Sequence, residues 1–473
     1  MEGKSIKVNF IFNTLKTIMV VIFPLISFPY ISRVLGVEGV GKVQYCTSVI
    51  SYFILFSSLG IGTYSIREGV RFRDDRKAFS KFSKEILLIN MVTTVIAYLV
   101  LGLFFLAGAF QGKRDIMLVC SLSIAGTTLC IDWLYQAMEQ YVYISVRTLI
   151  IQALSLVMMF CFVRTEQDAF VYALLIVFSA KGYCFLNLFQ SRKYIDYGLK
   201  VKLEFKKHIK PILVIFGATL AVSIYMNMDV VMLGIFCDDY QVGLYSAAVK
   251  VNTVVKNVIV SISAVLLPRL MAYIAKGDRV NYEKLFQQGT NLNLFFSVPS
   301  MVGLIVLSRP IILLFSGEKF LPAVFTGQIL AIRLVFAALD NIFYNQVLIP
   351  NGHEKEACIG TAAGAGANLI LNALFIPTMQ TLGAAIATVI SEGVVFIYFV
   401  ISTRKIICLK NILKDMYKFL VAALLMGVGI EVGIHFLKGA VLQIAILVPI
   451  GFVIYIGVLW LLNRNNKMER IVL

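Results

Sequence analysis

Runs of about 20 apolar residues follow one another along almost the whole chain, separated by short polar links. A helix of that length crosses the roughly 30 Å hydrocarbon core of a bilayer. Inside hydrocarbon only helices and closed barrels satisfy every backbone N–H and C=O. The ten-residue alternation of an outer-membrane barrel strand is missing, so the runs predict helices. They fall at approximately 9–35, 40–63, 85–107, 114–136, 143–163, 168–190, 210–236, 241–267, 285–308, 324–349, 357–377, 382–403, 415–437 and 440–462. Composition agrees, with 59% of residues hydrophobic and 15% charged, against about 45–50% and about 25% in soluble domains. The expectation is an all-α polytopic membrane protein of about 14 transmembrane helices.

The net charge of +17 sits in alternate links between spans rather than on a soluble basic domain. That pattern is a topology signal and argues against nucleic acid as a partner. With the N-terminus inside, 67–84 and 192–210 carry seven Lys or Arg each, 269–284 four, 404–418 five and the tail from Arg464 three. About 30 basic residues then lie inside and about 8 outside, which puts both termini in the cytoplasm. The long basic segments 64–84 and 191–209 read as partly amphipathic interfacial stretches that meet membrane lipids. Lys4 and Lys7 precede the first run as in a signal peptide, but a run of about 25 residues without a small-residue cleavage site reads as a first spanning helix. The eight cysteines show no paired short spacing and most lie in spans, so neither a disulfide framework nor a metal site is expected.

The segment 191–209 divides the spans six and six. A weak repeat supports the division: Val34-Leu35-Gly36 with Val40-Gly41 and Tyr45 is echoed by Met232-Leu233-Gly234 with Val242-Gly243 and Tyr245. Six spans per half give parallel repeats about an axis along the membrane normal. The expected domains are an N-lobe at 1–190, a cytoplasmic basic linker at 191–209, a C-lobe at 210–403, and two further helices with a cytoplasmic tail at 404–473.

The span at 243–268 carries Lys250 and Lys256 well inside its length. A Lys at a helix centre costs roughly 2.5–3.5 kcal/mol on insertion scales, so it faces a bundle interior or a water-filled cavity. Ser246, Lys250, Thr253, Asn257 and Ser261 share one face, a polar stripe on an otherwise apolar helix, and Lys256 lies about 120° away from Lys250. Lys256, off the stripe, reads as structural. In the first span Asn13 and Lys16 share a face with Asn9 and Ser27, and Pro24 and Pro29 mark sites where it can bend. In the tenth, Arg333 and Asp340 stand seven residues apart on one face with Tyr344 on the same side. Asp229 and Lys250 lie on consecutive antiparallel helices at similar depth, where they can pair. Asp132, Lys181, Glu392 and Glu431 complete the intramembrane charges considered. Gly360, Gly364, Asn368 and Asn372, at four-residue spacing, suit close helix packing, with the two Asn as alternative path-lining groups.

Catalysis has little support. His208, His353 and His435 are scattered, and the chain has no nucleophile elbow, no phosphate-cradling glycine loop and no ATP-binding domain. No cofactor is expected. Energy would come from a coupling ion, H+ or Na+, from the substrate gradient or from a separate subunit.

Several motifs together resemble the oligosaccharide flippases of O-antigen, capsule and exopolysaccharide synthesis, within the multidrug/oligosaccharidyl-lipid/polysaccharide exporter superfamily. They are Ile31-Ser32-Arg33-Val34-Leu35-Gly36 with Gly39-Val40-Gly41; Trp133, Gln136 and Glu139; Asp229-Val230-Val231-Met232-Leu233-Gly234; and Val242-Gly243-Leu244-Tyr245-Ser246-Ala247-Ala248 with Lys250. Leu267-Pro268-Arg269, Gln346 with Ile349-Pro350-Asn351-Gly352, Asn368, Asn372, Ile376-Pro377, and 383–388 with Glu392 follow in order. The resemblance implies two six-helix lobes plus two C-terminal helices. It also implies alternating access that carries an undecaprenyl-pyrophosphate-linked oligosaccharide from the inner to the outer leaflet of the bacterial cytoplasmic membrane. Partners would be the lipid-linked oligosaccharide and the polymerase and glycosyltransferases of its pathway. Cationic groups of the central cavity would engage the pyrophosphate, with Lys16, Arg33, Lys250 and Arg333 as candidates, of which Arg33 and Lys250 lie within the matching motifs. Asn13, Asn257 and Tyr344 are candidates for the sugars, and Asp229 and Asp340 for coupling or structural ion pairs. A peptidoglycan-precursor flippase shares this architecture. A drug/cation antiporter would favour acidic stripes rather than cationic ones, and a membrane glycan polymerase or ligase would want a sizeable external loop, where the links here are short.

Overall fold

The computed structural model describes residues 6–404, 406–407 and 410–464, with side chains at all of these except 6–22, 218, 221, 222, 224, 262–265, 410–415 and 464. The chain forms two compact units, Met1–Val231 and Met232–Leu473. Among the described residues ten helical stretches are long and apolar enough to cross a membrane, or eleven when one bent helix is counted as a span. The described elements are helices, turns and bends, as an all-α polytopic chain requires.

In the first unit, helix α1 runs Ile6–Ser58 and breaks at Gly36, whose φ is 69°. That left-handed conformation costs a glycine little, and it falls where the first apolar run was expected to end. Then come α2 (Ile61–Phe72), α3 (Arg76–Leu106), α4 (Arg114–Leu129), α5 (Asp132–Ala137), α6 (Tyr141–Phe162), α7 (Ala169–Lys181), α8 (Cys184–Ser191) and α9 (Lys206–Phe236). The boundary between the units falls inside α9. Of the two basic segments expected to lie at the interface, the first holds α2, while the second is turn and irregular backbone between α8 and α9.

Two expected spans are interrupted. The fourth splits into α4 and α5 at Ile131, whose φ of 40° is unusual for a β-branched residue, and the sixth splits into α7 and α8. The two interruptions face each other, and Cys130 and Cys184 are joined there by a disulfide across 54 residues. The sequence reading expected no disulfide; only tertiary packing brings these cysteines together, which spacing along the chain does not reveal.

Helix α3 shows how the unit is stabilised. Ile86, Asn90, Thr94, Ala97 and Leu101 are buried, while Met91, Val92, Val95, Leu99 and Leu103 are exposed. The hidden face is thus the more polar one. Thr94 shares hydroxyl hydrogen bonds with Ser57 at 2.6 Å and Thr128 at 2.7 Å, and Thr93 donates to the Ser57 carbonyl at 2.6 Å. Lipid solvates the outer face, so helix association rests on close packing and on such interhelical hydrogen bonds. The start of α9 is held to the same unit. His208 Nδ1 lies 2.7 Å from the Tyr64 hydroxyl and Nε2 lies 2.8 Å from Glu85, with Lys207 3.2 Å from the same carboxylate.

In the second unit α10 (Asp239–Ala275) is capped by Asp238, which accepts from the Gln241 amide at 2.8 Å. Helices α11 (Arg279–Val306), α12 (Ser308–Phe315), α13 (Ala323–Ile342), α14 (Glu354–Thr403), α15 (Lys410–Phe436) and α16 (Ala440–Arg464) follow. Gly234, matched to Gly36 in the expected repeat, is an ordinary helical residue of α9, so the two Leu-Gly sites differ in backbone. Helix α13 runs on into a π-helical turn, Phe343–Leu348, and α14 breaks at Gln380, inside the expected link. Phe286, Phe343, Phe399 and Tyr455 anchor the core.

The glycines of α14 serve close approach, as the four-residue spacing suggested. A Cβ on Gly364 would stand 2.2 Å from a Val395 methyl, while one on Gly366 would meet open space. Asn368 and Asn372 are buried, and Asn372 donates to Asn368 Oδ1 at 3.0 Å. Gly364→Val should therefore destabilise the protein by about 1–3 kcal/mol through overpacking. Gly366→Ala should be neutral or gain up to about 1 kcal/mol of helix propensity. Thermal unfolding of the purified variants checks this; equal midpoints would contradict it.

Candidate functional site

The polar stripe of α10 is real and graded. Ser246 is buried and donates to the Val242 carbonyl at 2.7 Å, Lys250 and Thr253 are half-buried, and Asn257 and Ser261 are exposed. Another face of α10 is fastened to its neighbours. Asn252 donates to the Gly327 carbonyl of α13 at 3.4 Å, and the Tyr245 and Thr388 hydroxyls lie 3.2 Å apart, joining α10 to α14. Thr326 bonds Thr381 at 3.0 Å and joins α13 to α14.

Lys256 stands one turn beyond Asn252 and so lies on the fastened side. There it is within electrostatic reach of Arg333, Asp340 and Glu392. These four ionisable groups from α10, α13 and α14 form one cluster. Arg333 Nε lies 3.9 Å from Glu392 Oε1, with the two side chains 13% and 7% exposed. The charges attract at that distance, but it is too long for a hydrogen bond. Asp340 faces the Glu392 carboxyl at hydrogen-bonding range. Among the described residues no donor reaches either Asp340 oxygen, nor Glu392 Oε1. The cluster therefore holds two cations and two acids in nominal balance, with acceptor capacity unused.

The seven-residue spacing of Arg333 and Asp340 did place both in one site. Lys256, read as structural, joins them, and so does Glu392, read only as one charge among several. The clue to Lys256 lay in its four-residue distance from Asn252, which shows its worth only once α13 is seen against that face. Tyr344 falls in the π-helical turn, which shifts the helical phase, and its ring packs 6.3 Å from Phe399. Arg33 is exposed and donates to the Pro29 carbonyl at 2.6 Å. Asp229, half-buried, interacts electrostatically with Tyr52 of its own unit. Asn13 and Lys16 lie outside the described residues.

The first unit holds a second charged site that the sequence reading missed. Arg147, four residues inside an expected span, is 97% buried by its 3% side-chain exposure and ion-paired with Asp132. It also donates to Asn187 Oδ1, and its guanidinium lies 4.2 Å from the Tyr183 ring centre and 5.2 Å from that of Tyr143. Tyr183 donates to Asp132 at 3.0 Å, Tyr143 to Asn187 Oδ1 at 3.1 Å, and Tyr135 to the Asn187 carbonyl at 2.5 Å. This network braces the breaks between α4 and α5 and between α7 and α8. The clue was a charge inside an apolar run.

The family model described as "Polysaccharide biosynthesis protein" matches residues 6–273, and the one described as "Lipid II flippase MurJ" matches residues 242–451. The chain is 22% identical over 411 residues to the "Putative O-antigen transporter" of Escherichia coli (strain K12), covering 82% of this chain and 94% of that protein. Its fold is similar to that of a solved "Lipid II flippase MurJ, inward closed conformation", with TM-score 0.75, 19% identity and coverage of 96% and 99%. It is also similar to an inward-facing multidrug resistance MATE family transporter of the MOP superfamily, with TM-score 0.62, 16% identity and coverage of 86% and 98%. At such identities the structural likenesses speak to fold alone.

The two charged sites should respond differently to mutation. Asp132→Ala strands a buried guanidinium and should cost roughly 3–5 kcal/mol, seen as a large fall in melting temperature. Asp340→Asn takes one acid from a cluster in which Glu392 still faces the cations, and should cost clearly less. Equal losses would contradict this ranking.

Proposed function

The chain belongs to the polysaccharide biosynthesis protein family, and we propose that it is a flippase for lipid-linked oligosaccharides. It moves undecaprenyl-pyrophosphate-linked repeat units from the inner to the outer leaflet of the bacterial cytoplasmic membrane by alternating access. The observation that carries the reading is the pair of cations Lys256 and Arg333, half-buried and close together on helices apolar enough to span a membrane. A pyrophosphate headgroup cannot cross hydrocarbon unaided, while its polyprenyl tail can stay in lipid. Arg offers it a bidentate fork and Lys a point charge. The graded stripe of Lys250, Thr253 and Asn257 offers further polar contacts to headgroup and sugars, spread along one helix. Several moderate contacts suit a cycle in which they are exchanged as access alternates.

The name of the Escherichia coli relative supports surface polysaccharide as the end product. The protein works with both termini in the cytoplasm, beside the glycosyltransferases and polymerase of its pathway. A coupling ion, H+ or Na+, drives the cycle. A second reading, export of the peptidoglycan lipid precursor, is favoured by the match over 242–451. Complementation separates the two: rescue of a strain lacking its O-antigen or capsule flippase supports the first, and rescue of a strain depleted of its lipid II flippase the second.

In the rescued strain Lys250→Ala and Arg333→Ala should each lower surface polysaccharide roughly tenfold or more, from the 1.5–3 kcal/mol of a hydrogen bond to a charged group. The variants should still insert in the membrane at wild-type levels. Full surface polysaccharide with both variants would sink the role given to these side chains.

A further inference from the structure

The surface of the first unit carries a furrow for which the headgroup chemistry has no use. Two hollows, of about 580 and about 480 Å³, follow one another along α3 and share Leu59 and Thr93 in their walls. We propose that this furrow binds the polyprenyl tail of the substrate, as one extended chain reaching across most of the membrane. The proposal deepens the flippase reading and rests on it.

The sequence of α3 builds the floor. Leu88, Val92, Ile96, Val100 and Phe104 recur every four residues, so they form one row along the helix, and all five are exposed. Phe53 and Phe56 of α1 wall the hollow that ends at Phe104, and Phe205, Ile209 and Leu213 wall the one that begins at Leu88. The Phe53 and Phe104 rings meet edge to face at the far end, 6.2 Å between centres. Thr93, common to both hollows, donates its hydroxyl to the Ser57 carbonyl at 2.6 Å and to the Asn90 carbonyl at 3.0 Å, so it asks no hydrogen bond of an occupant. Every lining residue belongs to the first unit.

Length decides the occupant. At 1.5 Å per residue the row from Leu88 to Phe104 runs about 24 Å, most of the roughly 30 Å hydrocarbon core. The acyl chain of a phospholipid keeps to its own leaflet, about half of that depth, so no single one fills the furrow. A polyprenyl chain does. Lys206 and Lys210, exposed beside Phe205 and Ile209, put positive charge at the end nearer the start of α3, where an anionic headgroup meets the interface. Within lipid an apolar chain gains nothing from burial as such, and shape and packing select it. The hold is therefore modest, as a moving chain requires. A furrow apolar along its whole length accepts the chain from either end, so the tail keeps its track while the headgroup crosses.

The test is native mass spectrometry of the full-length protein released from detergent micelles that hold undecaprenyl phosphate, farnesyl phosphate or dioleoylphosphatidic acid at equal concentration. The three probes share a phosphate headgroup and differ in their chains. Wild type should retain undecaprenyl phosphate several-fold better than either of the others. Val92→Trp with Ile96→Trp puts bulk in both hollows and should cut that retention several-fold, to the level of the shorter probes. Val95→Trp with Leu99→Trp puts the same bulk on exposed positions of α3 outside the furrow and should retain the probe as wild type does. Ile96→Trp alone repeats the comparison where the pair folds poorly. Retention of dioleoylphosphatidic acid as strong as that of the long chain would mean that acyl chains fill the furrow, and overturns the proposal. So does equal retention of farnesyl phosphate, unchanged retention in the filled variants, or equal loss in both double variants. Failure of the flippase reading looks different: wild type would then leave a flippase-null strain without surface polysaccharide. Rescue by wild type together with no preference for the long chain would sink the furrow's role alone.

Discussion

A polar group taken out of water must find its partner inside the protein, and in hydrocarbon there is no second chance. Every notable feature of this chain follows from that constraint. Backbone groups meet it by helix formation over nearly the whole length. Hydroxyls meet it by pairing between helices, as Ser57, Thr94 and Thr128 do in a chain across α1, α3 and α4. Charges meet it by facing opposite charge across helices. Arg147 is held by a carboxylate, an amide and aromatic faces, and Arg333 shares a cluster with Glu392, Asp340 and Lys256.

The two clusters differ in what surrounds the charge. The Asp132–Arg147–Asn187 network is expensive to open, because breaking a buried ion pair leaves an uncompensated charge, so it suits a brace at helix breaks. The cluster of Arg333, Glu392, Asp340 and Lys256 joins three helices, α10, α13 and α14, through charge balance.

Most of the fold was legible because hydrophobic run length is a strong signal in membrane proteins. The break of α1 at Gly36 and the turn within 378–381 were anticipated from Leu-Gly and Thr-rich links. Interruptions inside runs were not. Ile131 gives no hint of a positive φ, and the Cys130–Cys184 bond depends on two breaks meeting in space. In the site, helical periodicity found Arg333 with Asp340. It left Lys256 without named partners, because a lysine's partners depend on which neighbour covers its face. Tyr344 lies in a π-helical turn, which adds residues to the register and which helical periodicity does not foresee.

The two faces of α3 also bear on how such a chain can change over time. Leu99 and Leu103 are exposed on a helix apolar enough to cross a membrane, so any apolar side chain serves there and substitutions pass almost unopposed. Asn90, Thr94 and Ala97 meet protein, where size and hydrogen-bonding pattern both matter. With so much of the surface asked only to be greasy, sequences can drift far while the bundle keeps its shape. A relative at 22% identity is then what this architecture permits. Ancestry in such a protein is written on its inner faces, and the outer ones forget quickly.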